Sequence, residues 1–169
     1  MKMAMIVAMD RDGCIGKGNG LPWRLSSDMA RFKRLTEADG FNSVVMGRRT
    51  WESLPDRFRP LPDRANIVMS RDTDWEDEGA ITALYVGRAI EIAFAEGSDE
   101  CWIIGGAQIY EMFMDRVEEI HVTEVQTNKS GDVFFPKWDR SLWSQQLIET
   151  VGTDEENEYD STYSIWTKG

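Results

Sequence analysis

The sequence is poor in cysteine and histidine, and it contains no long apolar run. Two cysteines in 169 residues are too few for a disulfide framework. Neither Cys14 nor Cys101 has a metal-ligand spacing, and no stretch approaches the ~20 apolar residues that span a bilayer. The apolar residues 1–9 lead into charged residues without a small-residue cleavage pattern, which predicts a buried strand rather than a signal peptide. We therefore expect a reduced, cytoplasmic protein without a metal ion or a membrane partner.

Basic residues are also scarce, because 19 lysines and arginines stand against 30 acidic residues and the net charge is −11. Nucleic-acid binding depends on basic side chains that meet phosphates, so this balance argues against it. Between Arg31 and Arg71, however, nine basic residues stand against five acidic ones. This local excess of positive charge fits either solvated protein faces or a site for small anions.

Apolar residues make up 41% of the chain, enough for a packed core, and the length fits one domain over residues 1–169. Short apolar runs alternate with helical stretches, which predicts right-handed crossovers. We expect strands at residues 3–9, 43–46, 65–69, 81–86, 101–104, 118–125, 143–151 and 159–168, and helices at 27–36, 49–54, 87–95 and 108–115. The expected fold class is α/β: a mostly parallel central sheet with helices on both faces and an antiparallel C-terminal edge.

A pair of glycines follows one of these strands. In an open α/β sheet, ligands bind beyond the carboxyl ends of the strands, and Gly105-Gly106 stands at such an end, directly before a helix. Glycines let a ligand approach closely, and a helix start offers free N–H groups to a phosphate. The pair also fits a tight turn without a ligand, since two glycines are not the three-glycine dinucleotide fingerprint.

A second glycine turn carries arginines. Gly47 ends another strand, and Arg48, Arg49 and Thr50 begin the helix that follows. Arginine offers paired donors that suit phosphate, and Arg71 joins the group if the next strand is a neighbour. Cationic side chains beyond a pyrophosphate site indicate an extra phosphate, hence NADPH over NADH. The alternative is a set of solvated arginines at a helix start.

Asp28 lies beside an apolar stripe that Leu25, Met29 and Phe32 form at helical spacing. A carboxylate among apolar neighbours needs a partner. Asp28 is therefore either a first-turn residue stabilised by the helix dipole or a buried carboxylate that receives donors from a ligand ring. The glycine-rich residues 11–20 before it are typical of a mobile lid.

Three other features have no ligand-binding role in this interpretation. His121, the single histidine, alternates with apolar residues and is expected to face solvent or a polar edge. The acidic runs at residues 74–78 and 154–158 predict solvated loops.

Taken in order, these segments resemble dihydrofolate reductases of the bacterial chromosomal type. No single segment is decisive, but the ordered set spans nearly the whole chain and is very specific. The matching segments are Ile6-Val7-Ala8, Ile15-Gly16, Leu21-Pro22-Trp23, Asp28 with Phe32-Lys33, Val45-Met46-Gly47-Arg48 with Thr50-Trp51-Glu52-Ser53, Pro60-Leu61-Pro62 with Arg64, Ile104-Gly105-Gly106 with Tyr110, Thr123, and Gly131-Asp132 with Phe135-Pro136.

The resemblance implies reduction of 7,8-dihydrofolate to tetrahydrofolate with NADPH, and we expect a monomer. In such enzymes the residue matching Asp28 holds the pteridine ring through its 2-amino group and the neighbouring ring nitrogen. Thr123 supports that contact and Trp23 holds an ordered water, so these three are the expected catalytic residues. The other implied substrate-binding residues are Ile6, Phe32 and Leu54 as walls, Lys33, and Arg64 as the partner of the glutamate carboxylate.

The resemblance also implies where NADPH binds. Ala8, Ile15 and Gly16 border the nicotinamide, and a cis peptide bond joins Gly105 to Gly106 against the pyrophosphate. The full set of implied cofactor residues is Ala8, Ile15, Gly16, Asn19, Gly47, Arg48, Arg49, Thr50, Ser70, Arg71, Gly105, Gly106, Ala107, Gln108 and Ile109.

The sequence departs from the family pattern at two places. Ala107 stands where many relatives have a third glycine. The segment at residues 54–60 is a few residues longer than usual and borders the substrate tail. Arg57 and Arg59 in it are either partners of a polyglutamate tail or solvated.

Three alternative functions fit parts of the pattern. A related NADPH-dependent pterin or pyrimidine reductase keeps the cofactor features but need not keep Asp28 or Arg64. A catalytically silent folate- or nucleotide-binding module is disfavoured by Trp23 and Asp28 together. An anion-binding structural protein accounts for the glycines and arginines but not for Asp28.

Overall fold

The computed structural model describes residues 1–16, 23–128 and 131–169. The strands in these ranges are β1 (Lys2–Asp10), β2 (Cys14–Gly16), β3 (Asn42–Gly47), β4 (Arg64–Met69), β5 (Ala80–Ala83), β6 (Glu100–Gly105), β7 (Glu119–Val125), β8 (Val133–Phe134), β9 (Trp143–Val151) and β10 (Ser161–Lys168). The α-helices are α1 (Ser26–Glu37), α2 (Arg48–Ser53), α3 (Val86–Ala95) and α4 (Ala107–Phe113). Short 3₁₀ turns occur at Asp56–Phe58, Met114–Arg116 and Arg140–Leu142.

Eight of the strands form one sheet in the order β5-β4-β3-β6-β1-β7-β10-β9. The pairs from β5 to β7 are all parallel, whereas β10 runs antiparallel to both β7 and β9. The predicted mostly parallel sheet with an antiparallel C-terminal edge is therefore confirmed. Because the parallel strands share a direction, the carboxyl ends of β1, β3, β4 and β6 meet at one edge, where ligands bind in such sheets.

The side chains of β1 alternate between two cores. Met5 and Val7 pack in a cluster with residues of α3 and α4, and Ile6 packs in a second cluster with Trp51 and Phe32 on the opposite face. The helices thus cover both faces, as the fold class predicts. Each fully buried side chain such as Met5 contributes about 1.5–3 kcal/mol to the free energy of folding, so this central strand is a large share of the stability.

Two short strands were not predicted from the sequence. Residues of β2 pair antiparallel with β8, with Cys14 beside Phe134 and Gly16 beside Val133. This pairing fixes residues 14–16 of the glycine-rich segment 11–20, which the sequence predicts to be a lid. A three-residue strand without alternation carries no periodic signal, and its partner lies far away in the sequence. The predicted strand 81–86 also ends earlier, at Ala83, because α3 begins at Val86.

The expected position of His121 is wrong, since this side chain is buried at 4% exposure. Its strand, β7, is not an edge, because β1 and β10 flank it on both sides. His121 Nδ1 lies 2.6 Å from the Tyr163 hydroxyl and Nε2 lies 2.9 Å from Glu119. Burial lowers the pKa of His121, against the opposing charge of Glu119, so the ring is a structural hydrogen-bonding group at neutral pH.

The acidic run at residues 154–158 is more than a solvated loop. Asn157 is buried, and its side-chain oxygen accepts a hydrogen bond from the Ser27 N–H group at 3.1 Å. The Ser26 N–H group donates to the main-chain oxygen of Glu156. The loop therefore provides hydrogen-bond acceptors for the free N–H groups at the start of α1. The side chain of the N-cap residue usually provides such an acceptor.

Both cysteines are free and buried. Within residues 1–16, 23–128 and 131–169, no cluster of His, Cys, Asp or Glu side chains could hold a metal ion. No helix in the same part of the chain is long and apolar enough to cross a membrane.

Candidate active site

The two glycine turns meet at the carboxyl edge of the sheet. Met46 at the end of β3 pairs with Gly105 at the end of β6, so the turns after these strands are neighbours. A Cβ atom at Gly47 would lie 3.1 Å from the Ile109 side chain, and one at Gly106 would lie 3.8 Å from Thr50 Oγ1. The predicted cofactor residues on α2 and α4 are therefore brought together by the absence of side chains at the turns.

The Gly105–Gly106 peptide bond is cis, as the resemblance implied. Gly105 has φ +113°, and a Cβ atom there would lie 3.0 Å from the Tyr110 ring and hydroxyl. Only glycine fits this position without strain. Ala107 is the first residue of α4, where alanine is a favourable helix former, so the missing third glycine does not disturb this turn.

Exposed cations surround the glycine turns. Arg48 and Arg49 begin α2, and Arg71 is the second residue after β4. Arg48 donates to Glu52 at 2.6 Å and lies 3.9 Å from Asp72, so much of its charge is balanced locally. In the described part of the chain, Arg49 and Arg71 form no ion pair, which leaves their guanidinium groups available to an anion.

The other predicted cofactor residues that the structure describes are on β1, β2, α4 and the residue after β4. Ser70 follows β4, and its hydroxyl accepts the Asp72 N–H group in a local turn. Ile15 and Gly16 lie in β2, and Ala8 of β1 pairs with Thr123 of β7. Gln108 is exposed on the first turn of α4. Asn19 lies outside the described residues.

Asp28 and Thr123 form the polar centre of the second half of the site. The Thr123 hydroxyl donates to Asp28 Oδ1 at 2.6 Å, which joins α1 to β7. The Asp28 side chain is about one-fifth exposed, at 21%. Burial raises the pKa of Asp28, and the Thr123 hydrogen bond and the charge of Arg31 oppose that rise. The interpretation of Asp28 as a partnered carboxylate with one open side fits this geometry better than a purely helix-capping role.

The predicted apolar wall residues fall into two clusters. Ile6, Phe32 and Leu54 belong to one apolar cluster, and Trp23 packs with Ala8 in a neighbouring one. The Trp23 side chain is 7% exposed, and its indole N–H group has no hydrogen-bond partner among the described residues. A buried donor of this kind suits an ordered water or a ligand atom.

The predicted carboxylate-binding residues differ in burial. Lys33 is exposed on α1. Arg64 is buried, and it donates to Thr36 Oγ1 at 2.8 Å and to the Pro62 carbonyl oxygen at 2.9 Å. It also lies 3.4 Å from Glu37, and burial lowers its pKa while that charge raises it. Arg64 is thus held rigidly beside the end of α1.

The two arginines of the longer segment are now placed. Arg59 Nη2 lies 2.8 Å from Asp56, and its guanidinium carbon lies 5.9 Å from the Trp51 ring centroid. Arg57 stacks on the Phe58 ring at 4.7 Å. Both contacts are local, and both residues remain at the surface of the segment.

Sequence reasoning missed two groups at the site. Arg31 lies 3.5 Å from Asp28, and the i,i+3 spacing on one helix face was the signal that could have found it. Tyr110 donates from its hydroxyl to the Ile6 carbonyl oxygen while its ring supports Gly105. No local pattern could show the second contact, because it joins residues about a hundred positions apart.

Known proteins match this arrangement. The family model for dihydrofolate reductase matches residues 2–168. The dihydrofolate reductase of Neisseria meningitidis serogroup A (strain Z2491) is 43% identical over 145 residues, which cover 86% of this chain and 85% of that protein. The dihydrofolate reductase of Bacillus subtilis strain 168 is 36% identical over 166 residues, which cover 98% of this chain and 94% of that protein. The dihydrofolate reductase of Haemophilus influenzae strain Rd is 36% identical over 168 residues, which cover 99% of both chains. With its paired glycine turns and its Asp28–Thr123 centre, this chain belongs to the dihydrofolate reductase family.

Proposed function

We propose that the protein reduces 7,8-dihydrofolate to 5,6,7,8-tetrahydrofolate with NADPH and so supplies one-carbon metabolism. One observation carries the proposal: the 2.6 Å Asp28–Thr123 hydrogen bond reaches β7 where it pairs with Ala8 of β1, and the other neighbour of β1 is β6, which ends at the Gly105 turn. A carboxylate with one engaged oxygen still has acceptor capacity for a flat, amine-bearing ring.

The substrate ring is held by Asp28, whose carboxylate accepts hydrogen bonds from the 2-amino group and the neighbouring ring nitrogen. Thr123 fixes the orientation of that carboxylate. Ile6, Phe32 and Leu54 provide apolar walls, which agrees with their common cluster. Arg64 and Lys33 take the glutamate carboxylates at the other end, because a guanidinium fork matches a carboxylate.

NADPH fits the glycine turns and the cations around them. Gly105 and Gly106 allow the pyrophosphate to approach the main chain, and Ala107, Gln108 and Ile109 line the same turn. Arg49 and Arg71, with Arg48, Thr50 and Ser70, suit the remaining phosphate, which NADH lacks. Ala8, Ile15 and Gly16 border the nicotinamide, and Gly47 and Asn19 complete the proposed set of cofactor residues.

The bound cofactor supplies the hydride, and a ring nitrogen next to the accepting carbon takes up a proton. Asp28 contacts the opposite end of the ring, so it cannot deliver that proton directly and water carries it. The Asp28 carboxylate raises the proton affinity of the ring and fixes its orientation. Trp23, whose indole N–H group finds no partner in residues 1–16, 23–128 and 131–169, holds the water near the ring.

The experiment follows NADPH absorbance with 7,8-dihydrofolate, with NADH in a parallel sample. We expect the absorbance of the reduced nicotinamide to fall quickly with NADPH and slowly with NADH. R71M should narrow the preference for NADPH, whereas R88M, which changes an exposed arginine on α3, should not. No loss with either cofactor from a folded sample would contradict the proposal. A reaction with another pterin or pyrimidine ring would then support a related reductase, and ligand binding without turnover would support a silent binding module.

We also propose that the chain acts in the cytoplasm as a monomer with one domain over residues 1–169. The sheet supports the single domain, because strands from both ends of the chain lie in it. Light scattering should give the mass of one chain, and urea unfolding should follow one transition at several probes. A dimer mass or two separate transitions would contradict this arrangement, and cell fractionation would test the compartment.

A further inference from the structure

Arg31 is a buried cation directly beside the Asp28 carboxylate. Only 3% of its side chain is exposed, and its Nη1 lies 3.5 Å from Asp28 Oδ1 and 3.3 Å from Thr123 Oγ1. The three residues meet because Arg31 is one helical turn after Asp28 on the face of α1 that packs on β7. Asp28 Oδ1 is therefore held from two sides, by a hydroxyl and by a guanidinium.

The other end of the guanidinium reaches the edge of the sheet. Arg31 Nη2 donates to Glu149 of β9 at 2.8 Å, and the Arg31 guanidinium carbon lies 4.3 Å from the centroid of the Tyr163 ring. Glu149 is half-exposed, at 53%. One buried cation thus lies between a carboxylate of the active site and a carboxylate of the protein surface.

Stability alone does not account for this arginine. Removal of a guanidinium from water is costly, and apolar residues of similar size in place of buried ion pairs often preserve or raise stability. The Nε atom of Arg31 is also buried and has no hydrogen-bond partner among the described residues, so its desolvation is incompletely offset. An apolar side chain would fill the same place on α1 at lower cost.

We propose that Arg31 is a positioning residue for the reaction. Together with Thr123 it orients the Asp28 carboxylate, and its positive charge balances the negative charge of that carboxylate. Glu149 tunes this effect, because it binds the other end of the same guanidinium. The inference rests on the proposed function, because it assigns Asp28 to the substrate ring. Glu149, a half-exposed residue on the edge strand β9, thereby influences the reaction.

Several other groups face this centre. From α4, Tyr110 lies near Asp28, but its hydroxyl donates to Ile6 and burial raises its pKa, so it stays neutral. From β10, burial raises the pKa of Tyr163 to about 12. The charged or titratable groups around Tyr163 are Arg31, Arg34, Glu119, Asp28 and His121. In the described part of the chain, Arg31 is the one positively charged group that lies close to Asp28.

The direction of the effect follows from the signs of these charges. Turnover falls as pH rises, because the ring must be protonated. Loss of the Arg31 charge makes the pocket more negative, which raises the proton affinity of both Asp28 and the bound ring. The pH profile should then move to higher pH. Loss of the Glu149 charge frees more of the Arg31 charge to act on Asp28, so the profile should move to lower pH.

The test compares pH profiles of kcat for R31M, R31K, E149Q and R34M. R34M is the matched control, because Arg34 is exposed one turn later on the same helix. We expect R31M to raise the apparent pKa by roughly one unit or more, as loss of a nearby opposite charge does. R31K should restore most of the profile, E149Q should shift it down by less, and R34M should leave it in place. A merely structural role cannot produce opposite shifts for R31M and E149Q.

An unchanged profile in R31M, or shifts of the same sign in R31M and E149Q, would overturn the proposal. If R31M does not fold, the pH profiles of E149Q and R31K test the proposal instead. An E149Q profile that matches the wild-type profile would also overturn the proposal. If the wild-type protein does not oxidise NADPH, the proposed function fails instead. NMR titration of the ¹³C-labelled Asp28 carboxyl in the free protein then still tests whether the charge of Arg31 acts on Asp28. A higher Asp28 pKa in E149Q than in the wild-type protein would contradict that effect.

Discussion

The hydroxyl of Tyr110 donates a hydrogen bond to the main-chain carbonyl oxygen of Ile6 at 2.8 Å, and the Tyr110 ring packs beneath Gly105. One side chain therefore links the glycine turn of the cofactor half to the strand that provides a wall of the substrate half.

Y110F should lower the free energy of unfolding by about 1–3 kcal/mol, because the buried Ile6 carbonyl oxygen loses a partner. Urea unfolding measures the change. Y85F is the control, since Tyr85 is 56% exposed and should tolerate the same substitution. Equal losses in both variants would show that the Tyr110 hydroxyl has no special role.

G105A should lower stability by about 1–3 kcal/mol and weaken NADPH binding, because alanine is strained at φ +113° and its Cβ would press on Tyr110. G97A separates the two causes, since Gly97 has φ +79° but nothing within 4 Å of a Cβ atom. Calorimetric titration with NADPH completes the measurement. Unchanged affinity in G105A, with stability reduced as in G97A, would remove the turn from the cofactor site.

D28N should lose turnover most at neutral and high pH and recover partly in acid, where the substrate ring gains its proton without help from the carboxylate. A kcat profile from pH 5 to 9 measures this loss. A profile of the same shape in the wild-type protein and in D28N would contradict the assigned role.

Asp28 also links stability to pH. Its pKa is raised above the ordinary 3.8, so its favourable contribution to folding is full below that value and is lost as pH rises through the raised pKa. The difference in unfolding free energy between D28N and wild type should therefore shift in favour of D28N from pH 3 to pH 7. A difference that is constant with pH would show that folding does not perturb this carboxyl.

N157A should destabilise the protein by about 1–3 kcal/mol and raise KM for dihydrofolate. The buried Asn157 side chain satisfies the Ser27 N–H group and donates to Asp154, so its loss frees the start of the helix that carries Asp28. E155A, in the same loop but exposed, should change neither quantity. Equal changes of stability and KM in E155A and N157A would contradict the assigned role of the Asn157 side chain.

Much of the fold follows from local patterns. Continuous apolar strands such as β1 and amphipathic helices such as α3 have periods that the sequence displays directly, so their existence and order were predicted correctly. The glycine turns at 47 and 105 were also visible, because a strand that stops at glycine before a helix needs no distant partner. The short strands β2 and β8 were not predicted, since strands of three and two residues show no period.

The sequence by itself predicted the fold class and the two glycine turns with their arginines, and its resemblance to a known family pointed to Asp28 as the carboxylate of the site. Only the tertiary structure decided what surrounds that carboxylate. Arg31, Tyr163 and Glu149 meet because α1 packs across β7, β10 and β9, and no local pattern encodes which side chains face each other across those elements. His121 was misplaced for the same reason: alternation shows which side of a strand a residue faces, but sheet order decides whether that strand is covered.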